Sequence, residues 1–230
     1  LGADLILVDR PGSDYKKLTN EITNNFKVDV QTYDCDLGIQ NDREELISTL
    51  CNKGAPLNIL VNNAAFVGDT NLEGWVTDFE KQSVETWRSA LEVNLTAAFS
   101  LIQGLSPILK ESKGANVINI GSTYGVVSPD FRNYTDLPRK NSEVYGATKA
   151  GVIQMTKYFS AHLADRNIRV NCVSPGGILN PDNPQGEDFQ KNYNFRTPMK
   201  RMANTEEMVG AILYLAGDSA SYTTGQNIVI

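Results

Sequence analysis

The chain has 230 residues, 41% hydrophobic and 21% charged, an ordinary globular balance with enough length for a sizeable core. Its formal net charge of −6 argues against nucleic acid or an anionic membrane surface as the main partner, and no apolar run approaches the roughly 18 residues of a membrane span. Cys35, Cys51 and Cys172 are widely spaced, form no metal pattern and suggest a reduced, cytoplasmic protein.

Asp4 to Val8 is a Leu/Ile/Val run of the kind that forms a strand buried on both faces, and it ends at Asp9-Arg10 and the turn Pro11-Gly12-Ser13. Helices are predicted over 14–25 and 42–52, and strands over 27–33 and 57–61. The last of these gives way to Asn62-Asn63-Ala64-Ala65. After a polar loop, Ser83 fits the N-cap of a long helix to about Lys110, with Val84, Trp87, Leu91, Leu95, Ala98, Phe99 and Ile102 near the helical period. A fourth strand, 117–120, is ended by Gly121-Ser122, and residues 123–142 read as a loop. A helix is predicted over 144–164, carrying the sole histidine, His162, in a surface or packing role. A fifth strand, 168–173, stops at Ser174-Pro175-Gly176-Gly177. Residues 181–203 show little periodicity and read as a mobile flap. Thr205 is the expected cap of a helix to about Leu215, and a last strand starts at Asn227.

Short buried strands alternating with helices predict an α/β fold with a parallel sheet and right-handed crossovers. Such sheets bind ligands beyond the carboxyl ends of their strands. Asp9-Arg10, Asp36, Asn62-Asn63, Ser122 and Ser174-Pro175-Gly176 all fall at such ends. On the 144–164 helix, Tyr145 and Lys149 stand one turn apart on one face. An ammonium beside a phenol favours phenolate, which would pull the tyrosine below its usual value near ~10 and tune it as an acid/base for an alcohol or carbonyl oxygen. The plainer alternative is a half-buried tyrosine and a solvated lysine.

Asn62-Asn63-Ala64, Asn94 in the long helix, Ser122 after the next strand, Tyr145-x-x-x-Lys149 and Pro175-Gly176 occur in an order and spacing that resembles the short-chain dehydrogenase/reductase family over nearly the whole chain. The resemblance implies a Rossmann-like, doubly wound parallel sheet, a single domain over 1–230 with a substrate flap at 179–204, and an NAD(P)-dependent oxidoreductase interconverting a secondary alcohol and a ketone. It implies that Tyr145 is the acid/base and that Lys149 holds the nicotinamide ribose. Ser122 would orient the substrate oxygen, and Asn94 would hold a water that relays protons. Asp9 would select NAD through the adenosine ribose, while Arg10 beside it leaves NADP open. Asp36 and Leu37 would meet the adenine, Asn63 and Ala64 would line the adenosine side, and Pro175, Gly176 and Ile178 would border the nicotinamide. No metal is implied. The two longest helices would form a homodimer or homotetramer interface.

The family's glycine-rich phosphate turn, first strand and first helix would precede Leu1, and the family continues beyond Ile230. The chain therefore reads as trimmed at both ends, with its sheet wanting a central strand. The stretch from Ser122 to Tyr145 is longer than is usual in the family, and its extra residues, around 129–134 and 136–140, are expected beside the reacting centre. Arg132, Arg139 and Lys140 could there meet an anion. Residues 121–131 resemble a subgroup from bacterial surface-sugar and flagellin-modification pathways, which suggests a phosphorylated or nucleotide-linked sugar as substrate. A lid or subunit-contact loop is the alternative. Two other functions stay open: a sugar epimerase or dehydratase that retains its cofactor, and a non-catalytic scaffold.

Overall fold

The alternation of short apolar strands with helices yields parallel pairing at every strand pair. The computed structural model describes residues 2–67, 72–134, 142–181 and 184–230, and the chain divides into two compact units, 1–55 and 56–230. In the first unit, β1 (Leu5–Asp9) pairs in parallel with β2 (Val30–Asp34), Leu5 opposite Val30 and Asp9 opposite Asp34. Helices α1 (Lys16–Asn25) and α2 (Gln40–Asn52) follow the two strands. Cys35, Leu46 and Leu50 form the buried part of this unit, together with Arg43, whose guanidinium donates to the Leu37 carbonyl at 2.6 Å.

The second unit holds a four-stranded sheet in the order β3 (Ile59–Asn62), β4 (Asn116–Ile120), β5 (Arg169–Ser174), β6 (Asn227–Val229). Strands β4 and β5 are central, which is why Val117, Ile118, Val170, Cys172 and Val173 are wholly buried, along with Asn116, Asn119 and Asn171 among them. Ile118 and Val173 pack with Leu215 and Ala220 in one core cluster. A polar line crosses the same sheet: Asn62 donates to Asn119 at 2.8 Å, and Asn119 donates to Thr156 at 2.9 Å. Register places Asn62 beside Asn119, Ile120 beside Val173 and Ser174 beside Val229, so the carboxyl ends of the strands share one rim.

Four expectations need correction. The long helix after Ser83 is interrupted: α3 (Val84–Leu91) leads through a π-helical turn, Glu92–Thr96, into α4 (Ala97–Lys110). The Ser83 cap is present, its hydroxyl accepting from the Thr86 amide. The loop after Ser122 contains two short 3-10 turns, Thr123–Gly125 and Phe131–Tyr134, before α5 (Glu143–His162). The flap contains a helix, α6 (Glu187–Arg196), so it is not featureless. The last helix, α7 (Val209–Ala216), is preceded by a 3-10 turn capped by Asn204, not Thr205, in a reciprocal capping box with Glu207.

Candidate active site

The site is built where β4 and β5 end. The chain leaving β4 turns at Gly121-Ser122 and is stitched to the chain leaving β5: the Gly121 amide donates to Val173 at 2.8 Å and the Thr123 amide to Pro175 at 2.9 Å. Ser122 is 7% exposed, and its hydroxyl oxygen accepts from the Tyr124 amide at 3.1 Å. Helix α5 brings Tyr145 and Lys149 to the same place. Lys149 is 3% exposed and donates to the Ile120 carbonyl at 2.6 Å. Its nitrogen lies 5.8 Å from the centre of the Tyr145 ring. Two of its three N–H bonds have no acceptor among the described residues.

Burial governs the electrostatics here. It lowers the Lys149 ammonium to about 8 from an ordinary 10.5. It raises the Tyr145 phenol above 10.0, against a smaller lowering by hydrogen bonding with Ser122. The expected depression of Tyr145 by Lys149 is thus overturned in this structure. The cause is desolvation: the phenolate would be poorly solvated, and the lysine points its proton at a backbone carbonyl. Tyr145 is consequently a phenol at neutral pH, ready to give a proton.

Asn94 lies on the π-helical turn, 3% exposed. Its side chain accepts from the Phe66 amide at 2.7 Å and donates to the Phe66 carbonyl and to Thr148, each at 3.2 Å. It therefore ties the loop after β3 to the catalytic face of α5. A turn of this type, which opens the regular helical ladder, is common at functional positions.

A family model described as Enoyl-(Acyl carrier protein) reductase matches residues 1–230. The chain is 33% identical over 189 residues to a 3-oxoacyl-(acyl-carrier-protein) reductase of Thermotoga maritima, covering 81% of this chain and 70% of that protein. It is 32% identical over 189 residues to a 7alpha-hydroxysteroid dehydrogenase of Bacteroides fragilis, covering 81% and 68%. The solved short chain dehydrogenase from Leptospira borgpetersenii with bound NAD+ superposes with a TM-score of 0.80 at 34% identity, over 99% of this chain and 81% of that one. The chain belongs to the short-chain dehydrogenase/reductase family. Members of this family are NAD(P)-dependent oxidoreductases.

In this short-chain dehydrogenase/reductase the site residues read from the sequence fall into two groups. Asn94, Ser122, Tyr145, Lys149, Pro175, Gly176 and Ile178 lie in the second unit, as do Asn63 and Ala64, exposed after β3. Asp9, Arg10, Asp36 and Leu37 lie in the first. Asp9 is exposed at the end of β1, and its carboxylate accepts from the Arg10 amide at 2.7 Å. The Asp36 carboxylate accepts from the Gly38 amide at 2.8 Å, which shapes the turn after β2. Gly176 donates to the Ile230 carbonyl at 2.7 Å, and Ala203 donates to the Gly177 carbonyl at 2.9 Å. The Ile178 amide donates to nothing among the described residues. That amide and the two unaccepted protons of Lys149 are donors of the kind a nicotinamide carboxamide and ribose hydroxyls require, so the residues present fit the cofactor of the family.

Arg132 is not poised for an anion: it grips Asp130 through two nitrogens, at 2.7 to 3.2 Å, and holds that carboxyl down to about 2. Arg139 and Lys140 lie outside the described residues. Sequence reasoning missed an aromatic wall. The Tyr134 ring packs on Phe189 at 5.2 Å, Phe189 packs on Tyr193 at 5.7 Å, and the Tyr134 and Tyr124 hydroxyls lie 3.3 Å apart. The Tyr193 hydroxyl accepts from the Gly177 amide, which fastens α6 to the turn after β5. Phe189 and Tyr193, one helical turn apart, with Glu187 and Asp188 before them and Arg196 after, were the available signal for α6.

Proposed function

We propose that this enzyme uses NAD(H) to interconvert a ketone and a secondary alcohol, with Ser122, Tyr145, Lys149 and Asn94 as its working set. The observation that carries the reading is the pair on one face of α5: Tyr145, a half-buried phenol, and Lys149, a buried cation 5.8 Å from its ring with protons to offer. When bound, the nicotinamide supplies or accepts the hydride. Tyr145 gives its proton to the ketone oxygen in reduction and takes it back from the alcohol in oxidation. Ser122 holds that oxygen in place with its hydroxyl. Lys149 binds ribose hydroxyls with its remaining N–H bonds, and its charge offsets the phenolate that forms when Tyr145 has given up its proton. Asn94 acts first as a brace, because its side chain is engaged with Phe66 and Thr148; a relay water would sit beside that brace. The flap, 179–204, and the long segment after Ser122 wall the substrate, for which we propose a sugar or sugar derivative.

Asp9 supports NAD over NADP. A carboxylate at the end of that strand accepts hydrogen bonds from two ribose hydroxyls and repels a 2′-phosphate. Cys35, Cys51 and Cys172 form no disulfide among the described residues, which fits a cytoplasmic enzyme. A homodimer or homotetramer is supported by the outer faces of α4 and α5, where Phe99 and Tyr158 are 44% and 72% exposed beside a groove of about 550 Å³ that His162 also lines. Sedimentation of the enzyme as a monomer would remove that element.

The test is titration of NADH and NADPH into the purified enzyme, followed by fluorescence, with turnover of a ketone panel measured alongside. Tyr145→Phe should keep nucleotide binding and lose about 10²- to 10⁴-fold in kcat. NADH should bind at least about tenfold more tightly than NADPH, a difference of roughly 1.4 kcal/mol. Undiminished turnover by Tyr145→Phe would end the assignment of the acid/base, and tighter NADPH binding would end the role of Asp9.

A further inference from the structure

Tyr124 and Tyr134 share one O···O contact of 3.3 Å, in which either can be the donor. Two phenols carry two protons, and that contact uses one. Among the described residues the second has no acceptor. The Tyr124 main chain lies between Ser122, whose hydroxyl accepts from its amide at 3.1 Å, and the first turn of α5, where a methyl group on Gly146 would come within 3.0 Å of its carbonyl, which places the pair beside the reacting centre. Tyr124 stands two residues after Ser122, in the 3-10 turn that Ser122 caps, so its position is tied to the group that holds the substrate oxygen.

Tyr134 is held independently of any ligand. Its ring rests on Phe189 of α6. The neighbouring Asn133 accepts from Arg196 at 3.4 Å, and Arg196 approaches Asp130 at 3.5 Å. Arg132 and Arg196 both turn toward the Asp130 carboxylate, so what Tyr134 and Phe189 themselves offer is ring faces and a hydroxyl proton.

We propose that Tyr124 and Tyr134 are specificity-determining residues that donate a hydrogen bond to a second oxygen on the carbon next to the one being reduced, in a ring-shaped, hydroxylated ketone. The ring faces of Tyr134 and Phe189 cover the apolar face of such a ring, and the free phenolic proton selects the vicinal oxygen. A site built to hydrogen-bond a substrate oxygen discriminates strongly against the analogue that lacks it, because the buried donor is then left without a partner. This inference rests on the ketone-reductase reading above.

Cyclohexanone and 2-hydroxycyclohexanone are the matched probes. Their kcat/KM values are measured with NADH and with NADPH for the wild-type enzyme, Tyr134→Phe, and the double variant Tyr124→Phe/Tyr134→Phe. Both substitutions keep the rings and their packing. The preference for the hydroxyketone should fall at least about tenfold in the double variant, with a smaller fall in Tyr134→Phe. A merely structural role would slow both ketones together and leave their ratio alone. A ratio unchanged within about twofold in the double variant overturns the inference while leaving the reductase reading standing. Failure of the wild-type enzyme to oxidise either nucleotide with any ketone would instead remove the reductase reading, and the inference with it.

Discussion

Gly125 and Gly177 both border the active site, and a methyl group added to each would meet different things. At Gly125 it would come within 2.7 Å of the Lys149 carbonyl carbon and 2.8 Å of the Ala150 nitrogen, both backbone atoms of α5. At Gly177 it would come within 2.6 Å of the Tyr193 ring, the far part of a side chain that can rotate away. The contrast runs through the whole site. Ser122, Tyr145 and Lys149 rest on main chain: the strand-end stitching between β4 and β5, the Ile120 carbonyl, and a 3-10 turn pressed against α5. The opposing wall rests on side chains: ring contacts among Tyr134, Phe189 and Tyr193, and ion pairs around Asp130. Chemistry that must be placed to a fraction of an ångström sits on the stiffer support, and recognition sits on the one that side-chain replacement can remodel.

The largest effect that would test this contrast is electrostatic. Lys149 has a folded-state value of about 8 against 10.5 unfolded. Below about 8 the folded enzyme carries the full cost of a buried ammonium; as pH rises toward 10.5 the folded state releases its proton before the unfolded state does, and that cost disappears. Relative to Lys149→Met, the wild-type enzyme should therefore gain stability on the order of 3 kcal/mol across that range, measured by urea unfolding. Parallel curves for the two proteins would mean that the lysine is solvated, and the floor less rigid than drawn here. Activity should fall over the same rise in pH, as the cation is lost.

Gly125→Ala comes next. Forcing a methyl group into the α5 backbone should cost about 1–3 kcal/mol and lower kcat, whereas Gly177→Ala should cost less and act mainly on KM. Equal effects from the two substitutions would erase the distinction between floor and wall. The smallest expected effect is that of Phe189→Ala. Removal of its two ring contacts should raise KM about two- to tenfold, with kcat nearly constant, matching the roughly 0.5–1.5 kcal/mol of an aromatic pair. A fall in kcat alone would mean that the wall helps to align the reacting atoms.

Much of this was legible in the sequence for a simple reason. Strands buried on both faces are rich in Val and Ile, so β4 and β5 announce themselves despite their buried asparagines, and the polar residues that end them mark the rim. The one-turn spacing of Tyr145 and Lys149 was visible for the same kind of reason. What escaped depends on contacts between distant segments. The π-helical turn at Asn94 sits where its side chain bonds Phe66 and Thr148 in distant segments, which periodicity does not report. Helix α6 buries no residue fully; its aromatic side chains instead pack against the Ser122–Tyr145 segment and the turn after β5, so its apolar pattern is weak. The capping box at Asn204 was readable from Asn204 and Glu207 three positions later, and Thr205 was the wrong choice because only Asn204 precedes the turn. The upward shift of Tyr145 escaped because a sequence shows which charge stands nearby and not how dry the surroundings are.

The segment that starts after Ser122 is anchored where it leaves the sheet, by the Thr123–Pro175 bond, and where it joins α5, by the Tyr145 amide on the Ser142 carbonyl at 3.1 Å. Between two such anchors, doubling the length of a loop adds only about 0.6 kcal/mol of closure entropy. Descendants of one ancestral enzyme can lengthen, shorten or exchange this stretch while the acid/base stays where it was. The same property makes it the natural place to graft a loop from a relative when a new substrate is wanted.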